Sequence, residues 1–378
     1  MERDRLKLAL VTDTYHPQVN GVVSSVDSIA EEVGREHEVR IFAPTNARNA
    51  QGFRSFTFPP YPDYRIAFVG PKTIGEIFVR EGIELIHVHT PFTLGLAAVS
   101  AGKRLLLPIV GTFHTLLPEY THYVYGRWGG LLRGLAWRYV SCFYRRCTVV
   151  TTPSNPMREV LVGRRLENVH VISNAVNVDL FSPRERPPNQ DPVILYVGRL
   201  GREKRVEVLI NAAPRILEQF PQAMFQVVGR GVQGRFYEEM VREKGLNGNF
   251  RFEHYLSPTD LVDAYRGCDV FVIPSDTETQ GLVALEAMAC GKPVVGADAA
   301  GLKDVITPEV DGYRFAPGDS GDLSQCVLRL LADASLRQKM GANARQKAEG
   351  FSQSRIAGQW MGLYSSLLAT DGQQPTSP

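Results

Sequence analysis

The chain has no apolar run of the ~18 uncharged residues that a membrane-spanning helix needs. Cysteine is sparse: five in 378 residues, an odd number with no C-x-x-C pair, which argues against a disulfide framework and a structural zinc site. Neither charge dominates. Forty-two basic and 40 acidic residues leave +2, too even a balance for a dedicated nucleic-acid binder. Lysine is scarce, nine against 33 arginines, so single arginines mean little and only clusters carry weight. No repeat of fixed period is present. The charged start Met1–Arg5 runs straight into a strand-like segment, leaving no room for the apolar core of a signal peptide. These absences predict a cytoplasmic protein whose membrane contact is at most peripheral, on the inner face.

What is there is ordinary globular material, 44% apolar and 22% charged, and at ~150 residues per domain the length suggests two or three domains. Strand-like runs at Leu6–Val11, Val39–Ala43, Leu85–Val88, Leu107–Val110 and Thr148–Thr151 form one set. Val193–Val197, Phe225–Val228, Phe250–Phe252, Val270–Ile273 and Pro293–Val295 form another. Continuous Val, Ile and Leu mark strands covered on both faces, with helix candidates such as Val22–Val33, Leu209–Phe220 and Leu261–Tyr265 between them. The alternation predicts an α/β protein with two doubly wound parallel sheets of five strands each. Ser182–Pro192, with four prolines and four charges, reads as a linker. The expected organisation is residues 1–181 and 192–352 as two domains, a last helix at 353–368 and a frayed tail at 369–378. Open α/β sheets bind ligands beyond the carboxyl ends of their strands, so a cleft between the domains is the expected active site.

The strongest chemical signal lies in the second half. Ser275-Asp276-Thr277-Glu278-Thr279-Gln280-Gly281 leads into a helix that is apolar on nearly every face (Leu282, Val283, Leu285, Ala287, Met288) and should be buried. Glu286 sits in its middle. A buried, unpartnered carboxylate is costly, so Glu286 needs donors: ligand hydroxyls, or a partner such as arginine within the protein. Glu278 falls in the loop at the strand's carboxyl end. The amides of Thr279, Gln280 and Gly281 stand at a helix N-terminus, which attracts anions or sugar hydroxyl oxygens. Two acids eight positions apart can then hold separate groups of one polar ligand. Val197-Gly198-Arg199-Leu200-Gly201-Arg202-Glu203-Lys204 follows the first strand of this half. Gly198 permits a tight turn, from which Arg199 and Lys204 emerge near the strand's end. Two fixed cations there suit a diphosphate and neutralise charge that grows as a bond to it breaks. Alone, the run also suits a solvated basic turn.

The E-x7-E spacing of Glu278 and Glu286, with the G-R-L-x-x-E-K run from Gly198 to Lys204, resembles the retaining glycosyltransferases of family 4, over nearly the whole chain from Thr12 to the last helix. The resemblance implies the GT-B fold: two doubly wound Rossmann-like domains, an inter-domain cleft and a C-terminal helix crossing back to the N-terminal domain. It implies transfer of a hexose from a nucleoside diphosphate sugar to a hydroxyl, with the anomeric configuration kept. It places Glu278 and the amides of Thr279, Gln280, Gly281 and Leu282 on the donor sugar, Glu286 on the ribose hydroxyls, and Arg199 and Lys204 on the diphosphate. Arg205 stands where many members have glycine. No D-x-D occurs, the nearest being Asp276-Thr277-Glu278. A metal-bridged diphosphate usually needs such ligands, so no metal or other cofactor is expected. The base is expected near His254, Tyr255 and Leu256, with uracil and guanine both open.

In the first half, Asn20-Gly21 opens a helix with unhindered amides for an anion, and the resemblance sets Gly21 against the donor phosphate. His114 ends another strand, and by the same resemblance it contacts the donor sugar. His114, Arg199, Lys204 and Glu278 are thus the expected catalytic set. His87 and His89 are read as core or strand-end residues on opposite faces, not metal ligands. Thr115–Arg146 holds eight aromatics among 32 residues, and five arginines against one acid. Leu131, Leu132, Leu135, Tyr139 and Phe143 fall on one helical face flanked by Arg127, Arg138 and Arg145. That pattern suits anionic lipid and equally a core helix with a solvated flank. Together with the aromatic segment Phe53–Phe68 it predicts Tyr120, Arg127, Trp128, Arg133 and Trp137 at a lipid-facing, acceptor-side surface.

Glu278-Thr279-Gln280-Gly281 is similar to bacterial diacylglycerol glucosyltransferases. His114-Thr115 with Pro118-Glu119-Tyr120 is similar to sulfolipid synthases and GDP-mannose-dependent mannosyltransferases. The expected donor is UDP-glucose or UDP-galactose, with GDP-mannose as the alternative, and the expected acceptor a lipid such as diacylglycerol. A rival signal is the literal G-x-G-x-x-G of Gly229 to Gly234, with Glu253 ~20 residues on, which alone would indicate an NAD-linked oxidoreductase. It follows the second strand of its half, not the first. A sugar-nucleotide epimerase and a non-catalytic binder complete the alternatives.

Overall fold

The structure, a computed structural model, describes residues 5–45, 47, 50–57, 65–116, 129–184 and 191–371. It divides into two units: Met1–Ala175 with Gln353–Pro378, and Val176–Ser352.

The N-terminal unit is built on a seven-stranded sheet. Its strands are β1 Lys7–Val11, β2 Glu38–Ala43, β3 Ala50–Gly52, β6 Leu85–Val88, β7 Ile109–Thr112, β8 Val149–Thr152 and β9 Val169–Val171. Their order, β3-β2-β1-β6-β7-β8-β9, is parallel throughout. Strands β4 Ser55–Thr57 and β5 Arg65–Ala67 form a separate antiparallel pair. The C-terminal unit carries β10 Val193–Val197, β11 Met224–Val228, β12 Phe250–Glu253, β13 Val270–Ile273, β14 Val294–Ala297 and β15 Gly312–Phe315. They are ordered β12-β11-β10-β13-β14-β15, again all parallel. Both sheets run outward from their first strand in opposite directions, the doubly wound arrangement. Each therefore has a switch point, at β1/β6 and at β10/β13, where ligands bind in such sheets.

The expectation of five strands per sheet misses β3, β9 and β15. All three are short edge strands and lack the continuous apolar run that marks a strand covered on both faces. The unit boundary also falls earlier than expected, at Ala175 and Val176 and not at 181. Residues 176–184 are held by the C-terminal unit. Arg345 Nη1 donates to the carbonyls of Val178 (2.9 Å) and Phe181 (3.0 Å), and Arg266 Nε donates to that of Ser182 (2.8 Å). Composition located the prolines, whereas the arginines that capture these carbonyls lie far along the chain. The helix Gln353–Asp371 returns to the N-terminal unit, where Ile356, Trp360 and Tyr364 share a core with Leu8, Leu10 and Val26.

Candidate active site

At the switch point of the C-terminal sheet, two ion pairs tie the loop after β10 to the loop after β13. Lys204 Nζ lies 2.5 Å from Glu278 Oε1, and Arg205 Nη2 lies 2.9 Å from Asp276 Oδ2. Local backbone explains how the cations reach this place. Arg202–Lys204 forms a single 3-10 turn, and Arg205 ends it in the left-handed region (φ 54, ψ 35) before the helix Val206–Gln219 begins. Arginine thus adopts the conformation that glycine takes at little cost, with its guanidinium anchored on Asp276. Arg199 Nη2 is 3.9 Å from the buried Glu203, and Tyr196 Oη donates to the Arg199 carbonyl at 2.9 Å.

The G-x-G-x-x-G run supports this turn from behind. Gly229, at φ 143, sits so close that a Cβ would come within 1.9 Å of the Gly198 carbonyl oxygen. The amide of Leu200 donates to Arg230 O (2.8 Å) and that of Gln233 to Leu200 O (2.9 Å). The run follows β11, away from the switch point, and its glycines are spent on packing the turn that carries Arg199.

Burial pushes the pKa of Glu278 up, but the charge and hydrogen bond of Lys204, a hydrogen bond from Ser275 and the field of Arg199 outweigh it and hold the carboxyl below its ordinary range. Glu286 differs. It projects from the buried helix Leu282–Ala289, and burial raises its pKa to about 7 against the pull of a hydrogen bond from Tyr265. That hydroxyl donates to Glu286 Oε2 at 2.6 Å. The partner inside the protein is therefore a tyrosine, not the arginine named as an example. Sequence reasoning missed it, because Tyr265 stands on another helix, Pro258–Gly267, and no periodicity connects the two.

The helix that carries Glu286 starts at Gly281, which is left-handed (φ 99) and offers no side-chain cap. Thr279, Gln280, Gly281 and Leu282 line this uncapped start, with Gln280 buried. His254, Tyr255 and Leu256 follow β12, two strands from β10. Tyr255 is exposed with Arg230 Cζ 6.0 Å above its ring, His254 Nε2 lies 3.8 Å from Glu238, and Leu256 packs on the core.

The N-terminal unit arranges its residues differently. The Asn20 side chain accepts from the amides of Val22 and Val23, both at 3.1 Å. Those two groups of the helix Gly21–Val33 are therefore already used, contrary to the expectation of unhindered amides; the Gly21 amide is the one left in that turn among the described residues. At the switch point, buried Asp13 accepts from the amides of Leu94 (2.8 Å) and Gly95 (3.2 Å) and from the Thr90 hydroxyl (2.8 Å). Burial raises its pKa to about 6 against these bonds.

His114 Nε2 is 2.9 Å from His89 Nδ1, and burial lowers the pKa of His114 to about 3, so the ring is neutral. Burial also lowers His87 and His89 well below the ordinary range. The two rings lie on one side of the strand end with centroids 4.0 Å apart, not on opposite faces, because residues i and i+2 of a strand share a face. The nitrogens of His87 are spent on Tyr364 Oη (2.8 Å) and Thr112 Oγ1 (2.6 Å).

Of the expected lipid-facing residues, Tyr120, Arg127 and Trp128 lie outside the described residues. Trp137 is buried, its ring stacked on Phe113 at 6.2 Å and covered by Arg164 at 4.6 Å, so it is a core residue. The helix Gly129–Tyr144 buries Trp137, Val140, Phe143 and Tyr144 and exposes Arg133, Leu135, Arg138 and Tyr139. This splits the expected apolar face. Exposed Phe56, in β4, and Phe68, just past β5, pair with ring centroids 5.4 Å apart. Among the described residues no helix is long and apolar enough to cross a membrane.

Comparison with known proteins fits this geometry. Residues 19–180 match the model described as Glycosyltransferase Family 4, and residues 178–347 match Glycosyl transferases group 1. The sulfoquinovosyl transferase of Arabidopsis thaliana is 30% identical over 79% of this chain, which spans only 60% of that protein. The alpha-monoglucosyldiacylglycerol synthase of Streptococcus pneumoniae is 26% identical, with 86% of this chain and 78% of that one covered. The GDP-mannose-dependent alpha-mannosyltransferase of Mycolicibacterium smegmatis is 28% identical, with 96% and 98% covered. Among solved structures, sucrose-phosphate synthase from Thermosynechococcus elongatus superposes with a TM-score of 0.75 at 24% identity, over 97% of this chain and 100% of that one. An Anabaena protein, HepE, in complex with UDP-glucose superposes at 0.77 and 19% identity, over 95% and 99%. With two doubly wound sheets, and cations and acids meeting at the C-terminal switch point, the chain belongs to glycosyltransferase family 4 and has the GT-B fold.

Proposed function

We propose that this protein transfers a hexose from a nucleoside diphosphate sugar to a lipid hydroxyl, with the anomeric configuration retained and without a metal ion. The observation that carries the reading is the Lys204–Glu278 pair at the β10/β13 switch point, with Glu286 on the helix that follows. An incoming diphosphate competes with Glu278 for Lys204. The cation then sits on the phosphate, and the released acid accepts hydroxyls of the sugar. Arg199 adds a second positive charge, so negative charge that grows on the leaving diphosphate meets cations already in place. Both acids of the Asp276-Thr277-Glu278 run are paired with cations of their own chain, which supports a side-chain clamp in place of a divalent ion. His114, neutral at working pH, contacts the sugar as a hydrogen-bonding group and not as a charge. With Glu278 engaged on sugar hydroxyls, same-face attack is favoured over a covalent intermediate, and the leaving phosphate takes the acceptor's proton.

The lipid reading is supported by exposed Leu135 and Tyr139 beside Arg133 and Arg138, and by the exposed Phe56–Phe68 pair. UDP-glucose or UDP-galactose with diacylglycerol is the first assignment. GDP-mannose is the second reading, supported by relatives that match over nearly their whole length. The test is incubation with UDP-glucose, UDP-galactose and GDP-mannose, each with diacylglycerol in anionic micelles and with EDTA in a parallel arm. Proton NMR of the product reads its anomeric configuration. Transfer only to a soluble sugar would remove the lipid assignment, loss of activity in EDTA the metal-independent clamp, and an inverted product the retaining mechanism.

A further inference from the structure

Glu286 has one side-chain donor among the described residues, the hydroxyl of Tyr265, 2.6 Å from Oε2. The two belong to different helices, and their contact is fixed by packing. Tyr265 is fully buried, its ring 5.7 Å from that of Phe181 and 5.6 Å from that of Phe271. Glu286 is only partly buried, and its Oε1 has no protein partner among the described residues. A buried tyrosine thus holds one oxygen of a carboxylate whose other oxygen has no protein partner among the described residues.

We propose that Tyr265 is a positioning residue for the donor nucleotide: it pins Oε2 of Glu286, fixing the plane of the carboxylate and keeping Oε1 available to the ribose hydroxyls. This rests on the assignment of Glu286 to the ribose. The pin has an orienting consequence and a protonic one. A carboxylate held at one oxygen presents the other in a fixed direction, so less rotational freedom is lost when nucleotide binds. A hydroxyl that donates to the carboxylate also favours its ionised form, the form that accepts two hydroxyl protons. Without that donor, burial alone acts on Glu286. More of it is then protonated near neutrality, and as an acid it presents a proton to a hydroxyl that needs an acceptor.

The surroundings leave Glu286 as the group that titrates there. Besides Tyr265, the groups that act on this pocket are Cys290 just beyond the end of the same helix and Cys268, both thiols raised to about 12 by burial and therefore neutral. The cations Arg266, Lys292 and Arg345 bear on Cys290.

Tyr265→Phe removes the hydroxyl and keeps the ring that packs on Phe181 and Phe271. Titration calorimetry with UDP, and with GDP in parallel, is expected to show Kd raised about tenfold at pH 7. The pH at which binding weakens on acidification should move up by about one unit, and towards pH 9 the gap between wild type and variant should narrow to the smaller part that orientation contributes. Glu286→Gln is expected to weaken binding and to abolish that pH dependence, and adding Tyr265→Phe to it should cost nothing further. Unchanged binding in Tyr265→Phe alone, beside weakened binding in Glu286→Gln, overturns the positioning role and leaves the ribose assignment standing. Unchanged binding in Glu286→Gln overturns both. A loss that is the same at every pH and adds to that of Glu286→Gln assigns Tyr265 to packing and overturns the proposal. Should Tyr265→Phe fail to fold, substituting 3-fluorotyrosine at position 265 keeps the contact and makes the hydroxyl a stronger donor. The acid limb should then move down, and an unmoved limb overturns the proposal.

Discussion

The Asp13 carboxylate accepts the backbone amide of Leu94 at 2.8 Å, so the N-terminal sheet fills its own switch point with an acid of its own chain. At the equivalent point in the C-terminal sheet, among the described residues, no carboxylate accepts from the amides of Leu282 and Val283, and Gly281 has no side chain to cap them. Two sheets of like topology therefore differ in one respect that matters for anions. One helix start is satisfied by a carboxylate of its own chain, and the other carries no side-chain cap.

This plug gives a pH signature. The folded pKa of Asp13 is about 6 against an ordinary 3.8, so between those values the folded state binds more protons than the unfolded one. Its contribution is fully present below about pH 4 and is lost as pH rises through about 6, by roughly 3 kcal/mol at ~1.4 kcal/mol per pK unit. Asp13→Asn lacks that slope. Urea unfolding at pH 4 to 7 should show wild type losing stability relative to the variant as pH rises, and a constant difference would count against the burial.

Lys204→Ala removes the cation of the proposed diphosphate clamp and strands Glu278. The expected result is kcat lowered roughly ten- to a thousandfold. Unchanged kcat with only a raised KM would mean that the lysine binds donor without acting in the transition state. Because the pKa of Glu278 is depressed, its pairing stabilises the fold above the ordinary glutamate range and is lost as pH falls through the folded value. The stability gap between wild type and variant should accordingly close in acid.

Arg205 offers a backbone test. Arg205→Gly relieves a left-handed residue worth about 1 kcal/mol and gives up a half-exposed pair worth ~0–1 kcal/mol, so thermal melting should shift little. Arg205→Val loses the pair and keeps a β-branched residue at positive φ, and should destabilise by about 1–3 kcal/mol. Equal melting of the two variants would show that the turn is not strained.

Two glycines should respond in opposite ways. Gly229→Ala places a Cβ 1.9 Å from the Gly198 carbonyl oxygen, so the turn carrying Arg199 must shift, with loss of both stability and donor binding. Gly21→Ala meets nothing within 4 Å and should fold as wild type. Under the proposed function, Gly21→Ala should still weaken the KM for donor, because a phosphate approaches that amide. Melting curves and donor titrations on both variants separate fold from function, and a Gly21→Ala enzyme with unchanged KM would remove Gly21 from the donor site.

Much of the architecture was legible because long-lived local patterns encode it. Strands covered on both faces need continuous Val, Ile and Leu, and ten of them stand out. Of the edge strands, β12 was legible from Phe250–Phe252, whereas β3, β9 and β15 were not, since an edge tolerates short and mixed sequence. The cation and acid motifs were legible for a similar reason: Gly198 to Lys204 and Glu278 to Glu286 are contiguous, and each lies just past a strand. Trp137 misled because an aromatic among arginines looks the same in sequence whether its ring faces lipid or, as here, packs on Phe113 in the core. The histidine pair was misread for a simpler reason, since a spacing of two always shares a strand face.

By itself, the sequence determined which groups stand at the ends of which strands: Arg199 and Lys204 after β10, Glu278 after β13, Glu286 one helix further. Spacing along a strand or helix sets position within an element, and that is a local property. Only the tertiary structure decided which partner each charge receives. Glu278 meets Lys204 from 74 residues away, and Glu286 meets Tyr265 from 21. Burial and partner together set whether a carboxyl is held ionised, as Glu278 is, or poised near neutrality, as Glu286 is, and both arise only when separate elements pack against one another.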